Sequence, residues 1–187
     1  MKGTELLRAL CSDERGISLP TLEQVLYLAA QIAREGREGR KIGTIFVVAD
    51  SEAVLRHSTS LILDPLALHP EHQKRLDDPN LRGTVKALAQ LDGAFIVSNA
   101  GVVLAACRYL NASSEGIALP LGLGSRHMAA ASITKHTNAM AVVVSESSIV
   151  RVFDAGRIVA EIIPELWLLS YLPLDGAAII NKDPFVP

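Results

Sequence analysis

Apolar residues recur at three-and-four spacing through Leu22, Val25, Leu26, Ala29, Ile32 and Ala33, which predicts an amphipathic helix capped by Ser18 or Thr21. The pattern stops at Arg34-Glu35-Gly36-Arg37-Glu38-Gly39-Arg40-Lys41, where two glycines and alternating charge predict a solvated helix end. A phosphate-binding patch is the sharper reading of that run, but its acids cancel much of the field and favour the plainer one. Residues 43–49 (GTIFVVA) then form a continuous β-branched run, as a central strand buried on both faces requires. Residues 50–80, broken by Pro65, Pro70 and Pro79, yield no clear element. Residues 84–91 read as a helix that leads into Asp92.

Two apolar runs, 94–97 and 102–106, flank Ser98-Asn99-Ala100-Gly101 and predict a hairpin. Residues 111–124 are a loop rich in Gly, Ser and Pro, and Ser125 is a natural cap for a helix over 126–138. Residues 140–144 form another buried strand, and 149–153 return from the turn Ser145-Glu146-Ser147-Ser148 as a second hairpin, closed by Asp154-Ala155-Gly156. Pro164 suits the first turn of a last helix over 165–172. The string DGAFIV at 92–97 recurs as DGAAII at 175–180, but only the first is followed by further motifs, so the second reads as a terminal turn. Helices alternating with strands, plus two hairpins, imply an α/β fold: a mixed β-sheet with helices on its faces.

Composition narrows this further. The 187 residues are 49% hydrophobic and 20% charged, enough apolar material for one well-packed domain. Net charge is −2, so no global basic field recruits nucleic acid, and any bound anion must be gripped by local groups. No apolar run approaches the roughly 18 residues of a membrane span. The first sixteen residues carry acids early, unlike a signal peptide. Cys11 and Cys107 have neither metal nor disulfide spacing and read as reduced thiols. The expectation is a cytoplasmic chain with no membrane and no nucleic-acid partner.

The densest polar cluster is Gly124-Ser125-Arg126-His127, a glycine, a hydroxyl, a guanidinium and an imidazole at a helix entry. Helix N–H groups and dipole there favour an anion, and an arginine can grip two oxygens at once. An ordinary capped helix with solvated Arg and His weighs about equally on spacing alone. His69 and His72 flank Pro70 with no third ligand nearby, so no metal site is expected there. His57 and His136 lack a paired acid, and Trp167 among leucines reads as core or contact surface.

The ordered set DGAFIVSNAGVVLAACRYLN, then GLGSRHMAAASITKHTNAMAVVVSE, resembles the diadenylate cyclase (DAC) domain family. Asp92 and Arg126 stand 126 − 92 = 34 residues apart, in keeping with that family's DGA motif followed about thirty residues on by G-[TS]-R-H-R. The resemblance implies condensation of two ATP into cyclic di-AMP with release of two pyrophosphates, across a face-to-face homodimer or within a higher homo-oligomer. It implies catalytic roles for Asp92, Arg126 and His127. It also implies an ATP site of Gly93, Ala94, Tyr109, Leu110, Gly124, Ser125, Arg126, His127, Ser145 and Glu146. Mn²⁺ or Mg²⁺ would be held by Asp92 and Glu146. Residues 1–40 would form an N-terminal helical extension, and 41–187 the catalytic domain.

Two departures stand out. The family's second arginine is Met128, with Arg108 or Lys135 as candidate substitutes, and Leu91 replaces a histidine found in some members. The missing cation keeps open an alternative, a catalytically weak or inactive nucleotide-binding sensor of the same fold.

Overall fold

The computed structural model describes residues 16–171, apart from 38 and 112. The second DGA string and Cys11 lie outside the described residues. Helix α1 (Leu19–Glu35) begins where Ser18 caps the Thr21 N–H, with Pro20 in its first turn. It ends at Gly36, whose N–H reaches the Ile32 carbonyl at 2.9 Å. Its apolar stripe does not form a separate layer. Leu22, Val25, Leu26 and Leu28 are fully or almost fully buried in the same cluster as sheet residues Phe46, Val142 and Val152.

Strand β1 (Thr44–Val48) lies at the centre of a seven-stranded sheet, as its unbroken apolar run predicts. After it come helix α2 (Ser51–Arg56), edge strand β2 (Ser58–Ser60), helix α3 (Pro79–Leu88) and strands β3 (Ala94–Val97) and β4 (Val103–Leu110). Helix α4 (Ser125–His136), strands β5 (Met140–Val144), β6 (Val150–Asp154) and β7 (Arg157–Ile162), and helix α5 (Pro164–Leu169) complete the order. The sheet runs β2-β4-β3-β1-β5-β6-β7. Only the β1–β3 pair is parallel, and the other five pairs are antiparallel.

Alternation along the strands separates two cores. Phe46, Val48, Phe95, Val97, Val142 and Val144 face α1. Ile45, Val47, Ala94, Ile96, Ala141 and Val143 face α4, which contributes Ala130, Ala131 and Ile133. Small alanines let α4 sit close to the sheet. Both predicted hairpins form, and a third joins β6 to β7 through the Asp154–Gly156 turn. Elements α2 and β2 were illegible in the proline-broken region because each is so short. The cap of α4 falls on Gly124 rather than Ser125, one residue before the expected position.

Strand register decides where chemistry can gather. Parallel pairing of Ile45 with Ala94 sets the segments entering β1 and β3 side by side. Antiparallel pairing of Thr44 with Val144, and of Ala94 with Arg108, brings the outgoing ends of β5 and β4 to that same edge. Gly43, Asp92-Gly93, Tyr109-Leu110 and Ser145-Glu146 therefore share one end of the sheet, distant in sequence as they are.

Candidate active site

At that end, on the α4 face, a cleft of about 470 Å³ opens. Asp92, Gly93 and Ala94 from the β3 entry line it, with Tyr109 and Leu110 from β4 and Ser125 and Arg126 from the first turn of α4. Its size falls in the range of about 300–1,000 Å³ typical of small-molecule sites. Six residues expected in an ATP site, from three separate segments, thus line one cleft together with Asp92. Ile45, Leu61, Arg108 and Ala129 complete the lining. Sequence reasoning missed Ile45 and Ala129 as site residues because each reads as ordinary core, on a strand or a helix face.

Arg126 is the hub. Its Nη1 donates to Glu146 Oε1 at 3.0 Å, and its Nη2 lies 3.9 Å from Asp92 Oδ1. The Asp92 carboxylate is almost wholly exposed, 91% for the side chain, so it faces whatever enters the cleft. As exposed pairs these contacts add little stability. Their consequence is positional, since both carboxylates converge on one cationic group. Two carboxylates beside a guanidinium are hard oxygen donors of the kind that Mg²⁺ or Mn²⁺ takes. Among the described residues no set of three or more His, Cys, Asp or Glu side chains could enclose a metal alone, so substrate oxygens are needed for the fit.

Gly93 has a structural reason for being glycine. Its φ is +102°, and an added Cβ would sit 2.6 Å from the Cys107 carbonyl carbon. Cys107 is itself at φ +51°, where the β3–β4 register shifts, so the DGA turn is locked against a bulge in β4. Burial, helped by Asp64 and Asp92, raises the Cys107 thiol above its ordinary pKa, which keeps it a protonated core group.

A second glycine, which the sequence reading treated only as the start of a strand, shapes the hub. A Cβ on Gly43 would lie 2.7 Å from Arg126 Nη1 and 3.0 Å from its Cζ. The guanidinium thus lies flat against bare backbone at the entry to β1. Nothing in the local sequence signals this, because Gly43 and Arg126 are brought together only by sheet register.

The structure does not bring every expected residue to the cleft. His127, next along α4, turns away from the cleft and is 6% exposed, packed beside Phe153, and its Nε2 accepts from Arg151 Nη1 at 3.3 Å. Successive helix positions differ by about 100°, so Arg126 and His127 cannot share a direction. Burial first, then the Arg151 and Arg126 charges, holds the His127 imidazole below its ordinary pKa and therefore neutral. Gly124 caps the helix, with open space where a Cβ would be. Ser145 closes the β5–β6 turn through its hydroxyl and Ser147.

Neither candidate substitute for the missing arginine is available in the expected way. Lys135 lies at the far end of α4 and donates to the Glu115 and Gly116 carbonyls at 2.7 and 3.2 Å. Arg108 borders the cleft, but its guanidinium is tied to β2 through the Ser58 carbonyl at 2.8 Å and the Ser58 and Ser60 hydroxyls. His57 and His136 each donate through Nδ1 to a carbonyl of their own helix.

Comparison with known proteins gives a consistent picture. The family model described as DisA bacterial checkpoint controller nucleotide-binding (DAC) matches residues 31–158. A diadenylate cyclase of Methanocaldococcus jannaschii is 47% identical over 152 residues, 81% of this chain and 48% of that protein. One of Haloferax volcanii is 37% identical over 147 residues, 78% of this chain and 54% of its own length. The chain thus spans about half the length of these curated relatives. Among solved structures, a double mutant of DacA from Staphylococcus aureus superposes with TM-score 0.50 at 21% identity, covering 79% of this chain and 90% of that one. A hypothetical membrane-spanning protein of Bacillus cereus gives 0.50 at 20% identity, covering 72% and 59%. At such identities the likeness is one of fold. Among the described residues no helix is long and apolar enough to cross a membrane.

Proposed function

Because the chain belongs to the DAC family, whose pattern spans residues 31–158, we propose that it is a diadenylate cyclase that condenses two ATP into cyclic di-AMP. The observation that carries this reading is the convergence of Asp92, Gly93, Tyr109, Leu110, Ser125 and Arg126 on one cleft sized for a single nucleotide. Tyr109 and Leu110 supply an apolar wall for adenine. The entry to α4, with Ser125 and Arg126, receives the phosphates, where N–H groups, dipole and guanidinium all favour negative charge.

The 3′-hydroxyl of one ATP attacks the α-phosphorus of the other, forming a new O–P bond. The bond between the α-phosphorus and the bridging oxygen breaks, and pyrophosphate leaves with the electron pair. Asp92, exposed at the mouth, accepts or orients the hydroxyl proton. Arg126 steadies the charge that gathers on the leaving oxygens. Repeating the step with the roles exchanged closes the ring, giving one cyclic di-AMP and two pyrophosphates from two ATP. A bound Mg²⁺ or Mn²⁺ would neutralise phosphate charge and polarise the attacked phosphorus, and Asp92 and Glu146 are the residues that would hold it. His127 acts from behind, its neutral ring fixing the first turn of α4 against Arg151.

One cleft presents one nucleotide with its reacting groups at an open mouth, so the second ATP comes from another copy of the chain facing the first. The decisive assay is purified protein with ATP and Mn²⁺ or Mg²⁺, its products separated by chromatography. Cyclic di-AMP should form, and should vanish in Asp92→Asn. The half-buried Met128, in place of a second arginine, favours one alternative: a nucleotide sensor that binds ATP without turnover. Tight ATP binding with no product under either metal would establish the sensor and sink the cyclase.

A further inference from the structure

Arg126 has a second side. Behind it, away from the nucleotide cleft, a smaller and mostly polar recess of about 260 Å³ is lined by Arg37, Arg40 and Lys41 together with Arg126 and Glu146. Among the described residues, three basic residues from the loop before β1 thus line one recess with the hub arginine and the Glu146 carboxylate. The loop is built to hold this arrangement. Arg37 and Arg40 exchange backbone hydrogen bonds at 2.9 and 2.8 Å across a tight turn. Gly36, at φ +57°, brings the turn so close that an added Cβ would lie 2.3 Å from the Arg40 carbonyl oxygen. Glu35, one of the acids that mute this run in the sequence, is turned aside to Lys86 at 3.0 Å.

We propose that this recess receives the β- and γ-phosphates of ATP and holds pyrophosphate as it leaves. The inference rests on the nucleotide reading of the adjoining cleft and assigns the part of the substrate for which that cleft offers Arg126 and an Arg108 already tied to β2. Arg126 stands between the two cavities and so touches the α-phosphate from one side and the leaving group from the other. Arg40 and Lys41 supply the positive charge lost where the family's second arginine is Met128. That charge comes from a different segment and acts on the leaving pyrophosphate.

The test titrates inorganic pyrophosphate, with Mg²⁺ present, into the wild-type chain and into Arg40→Ala/Lys41→Ala by calorimetry, with AMP titrated in parallel. Both side chains are exposed and the turn is held by backbone bonds, so the variant should fold. Each lost charge-assisted contact weakens binding by about tenfold. Pyrophosphate affinity should therefore fall by about a hundredfold while AMP affinity holds. Arg40→Lys/Lys41→Arg should restore most of it. A control that removes two exposed charges elsewhere, Arg56→Ala/Arg157→Ala, should leave it near wild type. Unchanged pyrophosphate affinity in Arg40→Ala/Lys41→Ala, or an equal loss in the distant control, overturns the inference. Failure of the wild-type chain to make cyclic di-AMP would instead strike the cyclase reading, and the pyrophosphate titration would still decide the recess.

Discussion

Gly43→Ala isolates the hub arginine from the rest of the fold. The added methyl would sit 2.7 Å from Arg126 Nη1, 3.0 Å from Cζ and 3.3 Å from Nε. Comfortable contact for such atoms begins near about 3.5 Å, so the guanidinium must retreat by roughly 0.8 Å. It can do so, because it is the tip of a flexible side chain and the three atoms nearest the new methyl all belong to it. Gly43 has no positive φ, so alanine suits its backbone and fewer unfolded conformers stabilise the fold slightly. The cost falls on position. The 3.0 Å contact to Glu146 is stretched, and the grip on phosphate moves by about the same distance. Displacements near 1 Å can cost up to about a hundredfold in rate. With each tenfold worth about 1.4 kcal/mol, the barrier rises by roughly 1.4–2.7 kcal/mol. The assay is kcat/KM for cyclic di-AMP formation beside a thermal melt of the same samples. A tenfold to hundredfold loss with an unchanged or slightly raised Tm is expected. Wild-type kcat/KM in Gly43→Ala would refute the placement of Arg126 as the phosphate grip.

Leu26→Ala, on the sheet-facing side of α1, should lower stability by about 2–5 kcal/mol in denaturant unfolding, because the side chain is 1% exposed in a shared core. His127 sits below its ordinary value of 6.5, so the unfolded chain binds the proton more readily than the fold does. Its contribution is therefore intact above that pH and is lost as pH falls through the lower folded value. Melts from pH 7 to 5 should show a steeper decline for wild type than for His127→Gln. If the two nucleotides meet only across a pair of chains, specific activity should drop on dilution below the pair's dissociation constant, which activity and sedimentation measured together will show.

Much of the fold was legible because its signals are local. The three-and-four stripe of α1, the unbroken run of β1 and the Asn-Gly turn at 99–101 each state an element within a few residues. What the sequence could not state was whether α1 is an appendage or a layer. A stripe such as Leu22, Val25 and Leu26 shows that one face is buried without showing against what. In the fold that face meets Phe46 and Val142, so removing α1 would open the sheet's core. Short pieces such as β2, three residues long, carry no period to detect. They are nonetheless what ties Arg108 down and removes it from the list of free cations.

The site divides along the same line. Asp92, Ser125 and Arg126 were singled out because motif residues sit at fixed spacing, and all three line one cleft. Direction was invisible: Arg126 and His127 are neighbours in the motif and point into different surroundings on the helix. Charges at 34–41 balance when counted along the chain, yet Glu35 pairs with Lys86 while Arg40 and Lys41 line the same recess as Arg126. A charge pattern becomes a field only after the backbone has decided which members face the same water. That is why the loop before β1, rather than Arg108 or Lys135, is where the missing arginine's charge is to be sought.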